Sequence, residues 1–172
     1  MSAHAAEIQP LASGSGARAG IAFLRIITGL VWMSQIVWKW PPGFSTLAKF
    51  TGAAVEHPVL QPWAWMVKTV VLPNIGLFGW MTILLEACLG AFLILGFATR
   101  VWALVGLGMT ATIMMSVLHA PNEWSWAYYM MFTLHVGVLA TAAGRTFGAD
   151  GLLRPAWQRS RSRIARFLVV AS

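Results

Sequence analysis

The chain has 172 residues, of which 58% are hydrophobic and only 10% are charged. A soluble domain carries about 25% charged residues, so this composition excludes an ordinary soluble protein and predicts an integral membrane protein with one small helical bundle. The net charge of +7 is compatible with a nucleic-acid partner, but the positions of the basic residues indicate that the charge sets the orientation of the protein in the membrane. The single cysteine, Cys88, excludes a disulfide framework within the chain.

Residues 1–19 are small, polar and rich in Gly and Ser, which predicts a flexible N-terminal tail. A first membrane span is predicted over residues 20–38, a run just long enough to cross about 30 Å of hydrocarbon. Its polar residues recur at steps of three or four, so they share one helix face. They are Arg25, Thr28, Trp32, Gln35 and Lys39. Two interpretations stay open: Arg25 and Lys39 extend to the headgroups at either end, or Arg25 faces the bundle and meets a carboxylate.

A Trp- and Pro-rich outer connection follows over residues 39–74, and residues 63–72 within it are apolar but too short to span. They are predicted to form an interfacial helix or a re-entrant lid. The second span is predicted over residues 75–98, with Glu86 near its middle. Glu86 shares a face with Gly79, Thr82 and Gly90. Because a charge at this depth is costly and small residues allow close helix contact, Glu86 is expected to face protein and to have a partner.

Two further spans are predicted over residues 101–118 and 124–143. The sequence therefore predicts an all-α, four-helix membrane domain over residues 20–151. Residues 152–172 carry five arginines, with apolar residues at helical spacing. They are predicted to form a cytoplasmic basic amphipathic helix on an anionic membrane surface.

The basic residues are distributed unevenly between the two sides that four spans create. The side of the termini receives Arg18, Arg100, Arg145 and the tail arginines, and the other side receives only lysines. This asymmetry predicts cytoplasmic termini and a multi-pass protein whose basic charge serves orientation and lipid contact, not nucleic acid. Arg100 and Arg145, together with Asp150, are the expected cytoplasmic anchors.

Depth along the helices indicates which polar side chains can pair inside the membrane. Glu86 lies roughly 18 Å from the cytoplasmic end of its span, His135 roughly 12 Å and Arg25 roughly 8 Å. Glu86 is therefore expected to contact His135, or Arg25 if that side chain extends. Three interpretations stay open: a buried network that fixes helix register, a proton relay or quinone headgroup site that includes Gln35, and a protonated Glu86 that is merely tolerated.

A second polar group is expected at the outer boundary, where Lys39 lies and His119 is in reach of Glu123 or Glu56. The sequence contains no metal-ligand pattern, phosphate-binding loop, CxxC pair or nucleophile motif. No catalytic residue is assigned and no metal is expected. A redox cofactor would have to come from another subunit.

Several of these residues together resemble the DoxX/DoxD family of small four-helix membrane proteins. The resemblance covers about residues 20–153 and rests on Arg25 with Gly29, Lys39, Glu86, Leu89-Gly90, residues 93–100 (LILGFATR) and residues 144–150 (GRTFGAD). The family includes the small membrane subunit of thiosulfate:quinone oxidoreductase. The resemblance thus implies a subunit that anchors a quinone-linked redox complex in a bacterial or archaeal cytoplasmic membrane and lines a quinone site.

That role makes the chain at most one subunit of an enzyme, with no bound cofactor of its own other than quinone. Its partners would be the bilayer and other complex subunits. The alternative is a non-catalytic structural or assembly subunit of a respiratory or photosynthetic complex; a small-solute carrier is disfavoured because no inverted repeat is present. A quinone role predicts a lipid-accessible cleft near Glu86 with unpaired polar atoms, whereas a structural role predicts a closed, fully paired network.

Overall fold

The structure, a computed structural model, describes residues 14–172, and every regular element in that range is helical. The α-helices are α1 (Ser15–Gln35), α2 (Ser45–Glu56), α3 (Gln61–Met66), α4 (Ile75–Leu95), α5 (Thr99–Val117), α6 (Ser125–Ala140), α7 (Ala149–Arg159) and α8 (Arg163–Ala171). A π-helical turn, Val67–Val71, and a 3₁₀ turn, Leu72–Asn74, join α3 to α4. The predicted all-α class is confirmed for the described part of the chain.

Three helical stretches within residues 14–172 are long and apolar enough to cross a membrane. They are Ser15–Gln35, Gln61–Leu95 and Thr99–Val117. The fourth predicted span corresponds to α6, which has 16 residues, fewer than the ~20 that a perpendicular span needs. Membrane character is therefore supported on three separate helices, and the count of four spans stays a prediction.

The N-terminal tail and the outer connection differ from their predicted forms. Residues 1–13 lie outside the described part of the chain, but α1 begins at Ser15, inside the predicted tail. The predicted outer loop contains α2, which was not predicted, and a helical segment over residues 61–71, where a short helix was predicted over residues 63–72. Prolines permit this because Pro62 and Pro73 occupy the first turn of their helical segments, where no backbone N–H is needed.

The C-terminal segment forms two helices, α7 and α8, where the sequence predicted one. Ser160 has an extended backbone at the end of α7, and the Ser162 hydroxyl then accepts a hydrogen bond from Ala165 N at 3.0 Å. A serine side chain that caps a new helix favours a break at this point.

Helices α1 and α4 run antiparallel and touch through two glycines. A Cβ atom at Gly29 would lie 2.8 Å from the carbonyl oxygen of Gly90, and a Cβ atom at Gly90 would lie 2.9 Å from the carbonyl oxygen of Gly29. The backbones are thus in direct contact, as small residues allow in membrane helix pairs. The same face of α4 buries Glu86, as its sequence pattern predicted.

Replacing Gly29 by alanine is expected to destabilise the protein by about 1–3 kcal/mol, because the methyl group meets rigid backbone atoms. At Gly20, on the same helix, a Cβ atom would have no heavy atom within 4 Å. Gly20→Ala should therefore be neutral or stabilise by up to about 1 kcal/mol. Unfolding in detergent, followed by tryptophan fluorescence, compares the two variants. Equal effects would contradict the close contact between α1 and α4.

His135 connects α6 to α1 and α5. Trp32 Nε1 donates to His135 Nε2 at 2.8 Å, and His135 Nδ1 donates to the carbonyl oxygen of Met131 at 2.7 Å. A Cβ atom at Gly106 of α5 would overlap the imidazole. Both ring nitrogens are used, which corresponds to the neutral Nδ1–H tautomer. The apolar core surrounds this contact and contains Trp32, Leu89, Leu93, Ala103, Val138 and Ala143.

The two segments that carry the family resemblance, residues 93–100 and 144–150, pack against each other at one end of the bundle, called here the Asp150 end. The Asp150 carboxylate accepts from the backbone N–H groups of Ala98 and Thr99 at 2.7 and 3.0 Å. It therefore caps the positive N-terminus of α5. Gly144 is required by close approach, since a Cβ atom there would overlap the Thr99 hydroxyl and the Asp150 carboxylate.

Arg25 closes the Asp150 end from α1 and is 0% exposed. Its guanidinium donates to the carbonyl oxygens of Leu93 and Ile94, at 2.6 and 2.7 Å, and of Phe147 at 3.2 Å. A cation at the C-terminal end of α4 is favoured by the helix dipole. Arg25 thus faces the bundle, as one interpretation held, but it bonds main-chain oxygens and not a carboxylate.

At the opposite end, called the Trp63 end, α2 and α3 cover the bundle. Trp63 Nε1 of α3 donates to Ser116 Oγ of α5 at 3.0 Å. The ring of Phe44, before α2, packs against Gly79 of α4, where a side chain would collide with it. This cover lies over the space between the ends of the long helices and leaves it partly open.

Candidate functional site

A cavity of about 910 Å³ lies beneath the cover at the Trp63 end, between α1, α2, α4, α5 and α6. Small-molecule sites in proteins typically measure about 300–1,000 Å³. Much of its wall is apolar, with side chains such as Leu47, Phe50, Met66, Phe78, Met109 and Ile113. The size and lining suit a ligand with an apolar body and a few polar groups.

The polar floor of the cavity is an ion pair between Lys39 and Glu86. Lys39 Nζ lies 2.9 Å from Glu86 Oε1, and the two side chains are 5% and 1% exposed. The ammonium also donates to the main-chain oxygen of Gln35 at 2.8 Å and lies 3.8 Å from the centroid of the Trp38 ring. Such cation–π contacts help to hold a buried ammonium.

One oxygen of this pair is left without a protein partner. Glu86 Oε2 is buried and accepts no hydrogen bond from any described residue. Buried carboxylate oxygens are nearly always paired with a protein group or water. Glu86 lines the cavity, so this unpaired carboxylate belongs to the cavity wall.

The prediction that Glu86 contacts His135 or Arg25 is wrong. Arg25 bonds the end of α4, His135 bonds Trp32 and Met131, and neither residue lines the cavity. Lys39, which was assigned to the outer boundary, occupies their place.

The reason lies in where α1 ends. The helix stops at Gln35, three residues before the predicted end of the span, and Lys39 N then bonds Ile36 O in a turn at 3.1 Å. The turn directs the long lysine side chain back into the bundle. The sequence did contain a signal for this arrangement, since Lys39 continues the spacing of three and four that links Arg25, Thr28 and Trp32.

A second polar group, also lining the cavity, lies at the Trp63 end. The Tyr128 hydroxyl on α6 donates to Glu123 Oε2, and both residues line the cavity. His119 was expected to pair with Glu123 or Glu56, but its Nδ1 donates to the carbonyl oxygen of Pro58 at 3.2 Å. Of the predicted outer-boundary residues, Glu123 therefore joins the cavity wall and His119 holds the connection between α2 and α3.

The predicted cytoplasmic anchors all lie at the Asp150 end, but they do different things. Asp150 is 0% exposed and caps α5, so it is not a surface anchor. Arg145 is exposed and donates to the carbonyl oxygen of Ser172 at 2.8 Å. Partial burial lowers the pKa of Arg145, and the nearby cations Arg154 and Arg100 lower it further.

The sequence was compared with models of known protein families. The family model described as the small subunit DoxD of TQO, thiosulfate:quinone oxidoreductase, matches residues 21–171. The chain belongs to the DoxD family. The match includes the Lys39–Glu86 pair, the cavity and both segments of the Asp150 end. No curated protein and no solved structure matches the chain significantly.

Family membership confirms the resemblance drawn from the sequence. Together with the three candidate spans, it makes this DoxD chain a membrane protein. A small-subunit family also implies that the protein works with at least one partner subunit.

Proposed function

We propose that this DoxD protein is the membrane subunit of a quinone-linked oxidoreductase of the thiosulfate:quinone type, and that its cavity takes the quinone headgroup. The observation that carries the proposal is the free, buried oxygen of Glu86 in the floor of a largely apolar cavity. An unpaired carboxylate oxygen on a residue that lines a cavity favours the quinone role over the structural alternative.

The chemistry of the floor suits a quinone. An ammonium has three N–H donors, and Lys39 uses two of them on Glu86 and Gln35. The third is available to a quinone carbonyl oxygen. Glu86 holds the ammonium in place, and its free oxygen can accept the hydroxyl proton of a quinol. The bound quinone would supply the redox chemistry, and it would exchange its electrons with a partner subunit.

The remaining walls suit the rest of the molecule. Aromatic side chains at Phe50 and Phe78 offer faces for the quinone ring, and methionines offer adaptable apolar contacts for its tail. The Glu123–Tyr128 pair offers polar atoms where the cavity approaches the Trp63 end. Arg25 and His135, outside the cavity, would serve this site by fixing the helices that line it.

We further propose four spans, with α6 as the fourth and both termini in the cytoplasm. The distribution of charge supports this orientation, because all nine arginines lie on α1 or near the Asp150 end and all three lysines lie towards the Trp63 end. The quinone cavity would then open in the outer half of a bacterial or archaeal cytoplasmic membrane, and the chain would anchor its partner subunits there.

The test is quinone binding to the purified protein in detergent, read from quenching of tryptophan fluorescence by a short-chain ubiquinone analogue. Trp38 and Trp63 line the cavity and report directly. Glu86→Gln is expected to weaken binding about tenfold, the worth of one charge-assisted hydrogen bond. Gly108→Leu should abolish binding, because Gly108 lines the cavity and has open space for a side chain.

Gly52→Leu is the matched control, since Gly52 of α2 also has open space but does not line the cavity. It should bind quinone like the wild type. If the wild type shows no saturable quenching, or if Gly108→Leu binds normally, the cavity is not a quinone site and the structural role is the better conclusion.

A further inference from the structure

A second cavity, of about 660 Å³, lies at the Asp150 end. Two of its lining residues are exposed arginines, Arg18 from α1 and Arg145 from the turn after α6. Three others are large hydrophobic side chains that are exposed: Leu95 at 60%, Phe147 at 65% and Leu152 at 83%. Guanidinium groups beside uncovered apolar surface match a ligand that is anionic at one end and apolar at the other.

The positive charge here is only partly offset by the protein, through the attraction of Asp150 for Arg145. Arg100 and Arg154 add to the field at Arg145, where like charges lower its pKa. Asp150 is the one acidic residue at this end of the described chain, and its two oxygens are occupied by Ala98 and Thr99. The excess of arginines over carboxylates at this end therefore favours the binding of an anion.

The neighbouring helix α8 indicates the level of the membrane at which this cavity lies. It exposes Ile164, Phe167 and Val170 at steps of three, with exposures of 73%, 59% and 70%. Arginines flank this apolar row at positions 161, 163 and 166. A short helix with this pattern lies in the headgroup region of an anionic leaflet.

We propose that the cavity is a binding site for an anionic phospholipid. The phosphate is held by Arg18 and Arg145, and the acyl chains run along Leu95 and Leu152. Both the charge and the exposed apolar surface are then accounted for by one molecule. The site is separate from the quinone cavity, at the opposite end of the bundle, and does not depend on the function proposed above.

The experiment is native mass spectrometry of the delipidated full-length protein, titrated with phosphatidylglycerol or with phosphatidylcholine. Phosphatidylglycerol is expected to bind at least about tenfold more tightly, and Arg18→Ala should remove most of that preference, since one charge-assisted contact is worth about tenfold in affinity. Arg18→Lys should retain much of it. Arg159→Ala is the matched control, because Arg159 is exposed but does not line the cavity.

Three results would overturn the proposal. One is equal binding of the two lipids by the wild type. Another is an Arg159→Ala variant that loses as much binding as Arg18→Ala, which would indicate general surface charge. The third is inorganic phosphate that competes as strongly as the lipid, which would indicate a site for a soluble anion. Unchanged thermal unfolding of Arg18→Ala in lipid-free detergent separates a lost site from a lost fold.

Discussion

Lys39→Met is expected to destabilise the protein by about 3–5 kcal/mol, the usual result of removing one partner from a buried ion pair. The substitution leaves the Glu86 carboxylate with no cation and no hydrogen bond, because Lys39 is the one salt-bridge partner of Glu86 among the described residues. The double variant Lys39→Met/Glu86→Met should recover most of that stability, because well-packed apolar residues often replace a buried pair at little cost. Unfolding in detergent of the two single variants and the double variant measures the coupling.

Lys49→Met provides the control for this series, because Lys49 lies exposed on α2 and its loss should change stability by no more than about 0.5 kcal/mol. A double variant as unstable as the sum of the two single variants would show that Lys39 and Glu86 are not coupled. If the double variant is stable but binds no quinone, the pair is retained for binding and not for folding.

Asp150→Asn is expected to cost about 3 kcal/mol, combining a lost helix cap with a buried N–H left unpaired. The amide keeps the size of the side chain but replaces one acceptor oxygen with a donor. One of the two backbone N–H groups that Asp150 binds, at Ala98 and Thr99, then faces another donor. The measurement is again the free energy of unfolding in detergent.

Glu56→Asn is the matched control, since Glu56 is an exposed carboxylate on α2. The free energy of unfolding of this variant should lie within about 0.5 kcal/mol of that of the wild type. An Asp150→Asn variant as stable as Glu56→Asn would mean that the Asp150 end is not held by this cap. Hydrogen exchange at the start of α5 then gives a local check, because the first turn should exchange faster when its cap is lost.

The cap that Asp150 provides also explains why the two segments on which the family resemblance rests occur together. Residues 93–100 and 144–150 are far apart in the chain, yet Asp150 of one caps the helix that begins in the other. Arg25 bonds Leu93 and Phe147, one residue from each. These motifs therefore specify a structural joint and carry no direct information about the ligand.

The fold class was predictable because it depends on local composition and periodicity. Long apolar runs have few alternatives to helices in a membrane, and the polar face of α1 was visible as a spacing of three and four. The burial of Glu86 was predicted from the same patterns, and the burial of Arg25 agrees with one of the two interpretations that they left open. The family was recognisable because its motifs are short and contiguous in the chain.

The pairing within the site was not predictable, because it depends on where one helix ends. The predicted depths rest on a first span that continues to residue 38, which places Lys39 at the far boundary. The helix instead ends three residues earlier, and after the turn that follows it the Lys39 side chain contacts Glu86. Helix ends are set by hydrogen bonds and packing that differ little in free energy over a few residues, so a sequence pattern locates them poorly.

Composition and periodicity alone thus determine that this protein is helical, lies in a membrane and buries a carboxylate, because each of these follows from the cost of polar groups in hydrocarbon. Only the tertiary structure decides that Lys39 is the partner of Glu86, that His135 belongs to Trp32, and that a cavity remains beside the ion pair. Contacts between residues 47 or 103 positions apart are set by the packing of whole helices. The spacing along α1 placed Lys39 and Trp32 on one face, but it could not specify the partner of either residue.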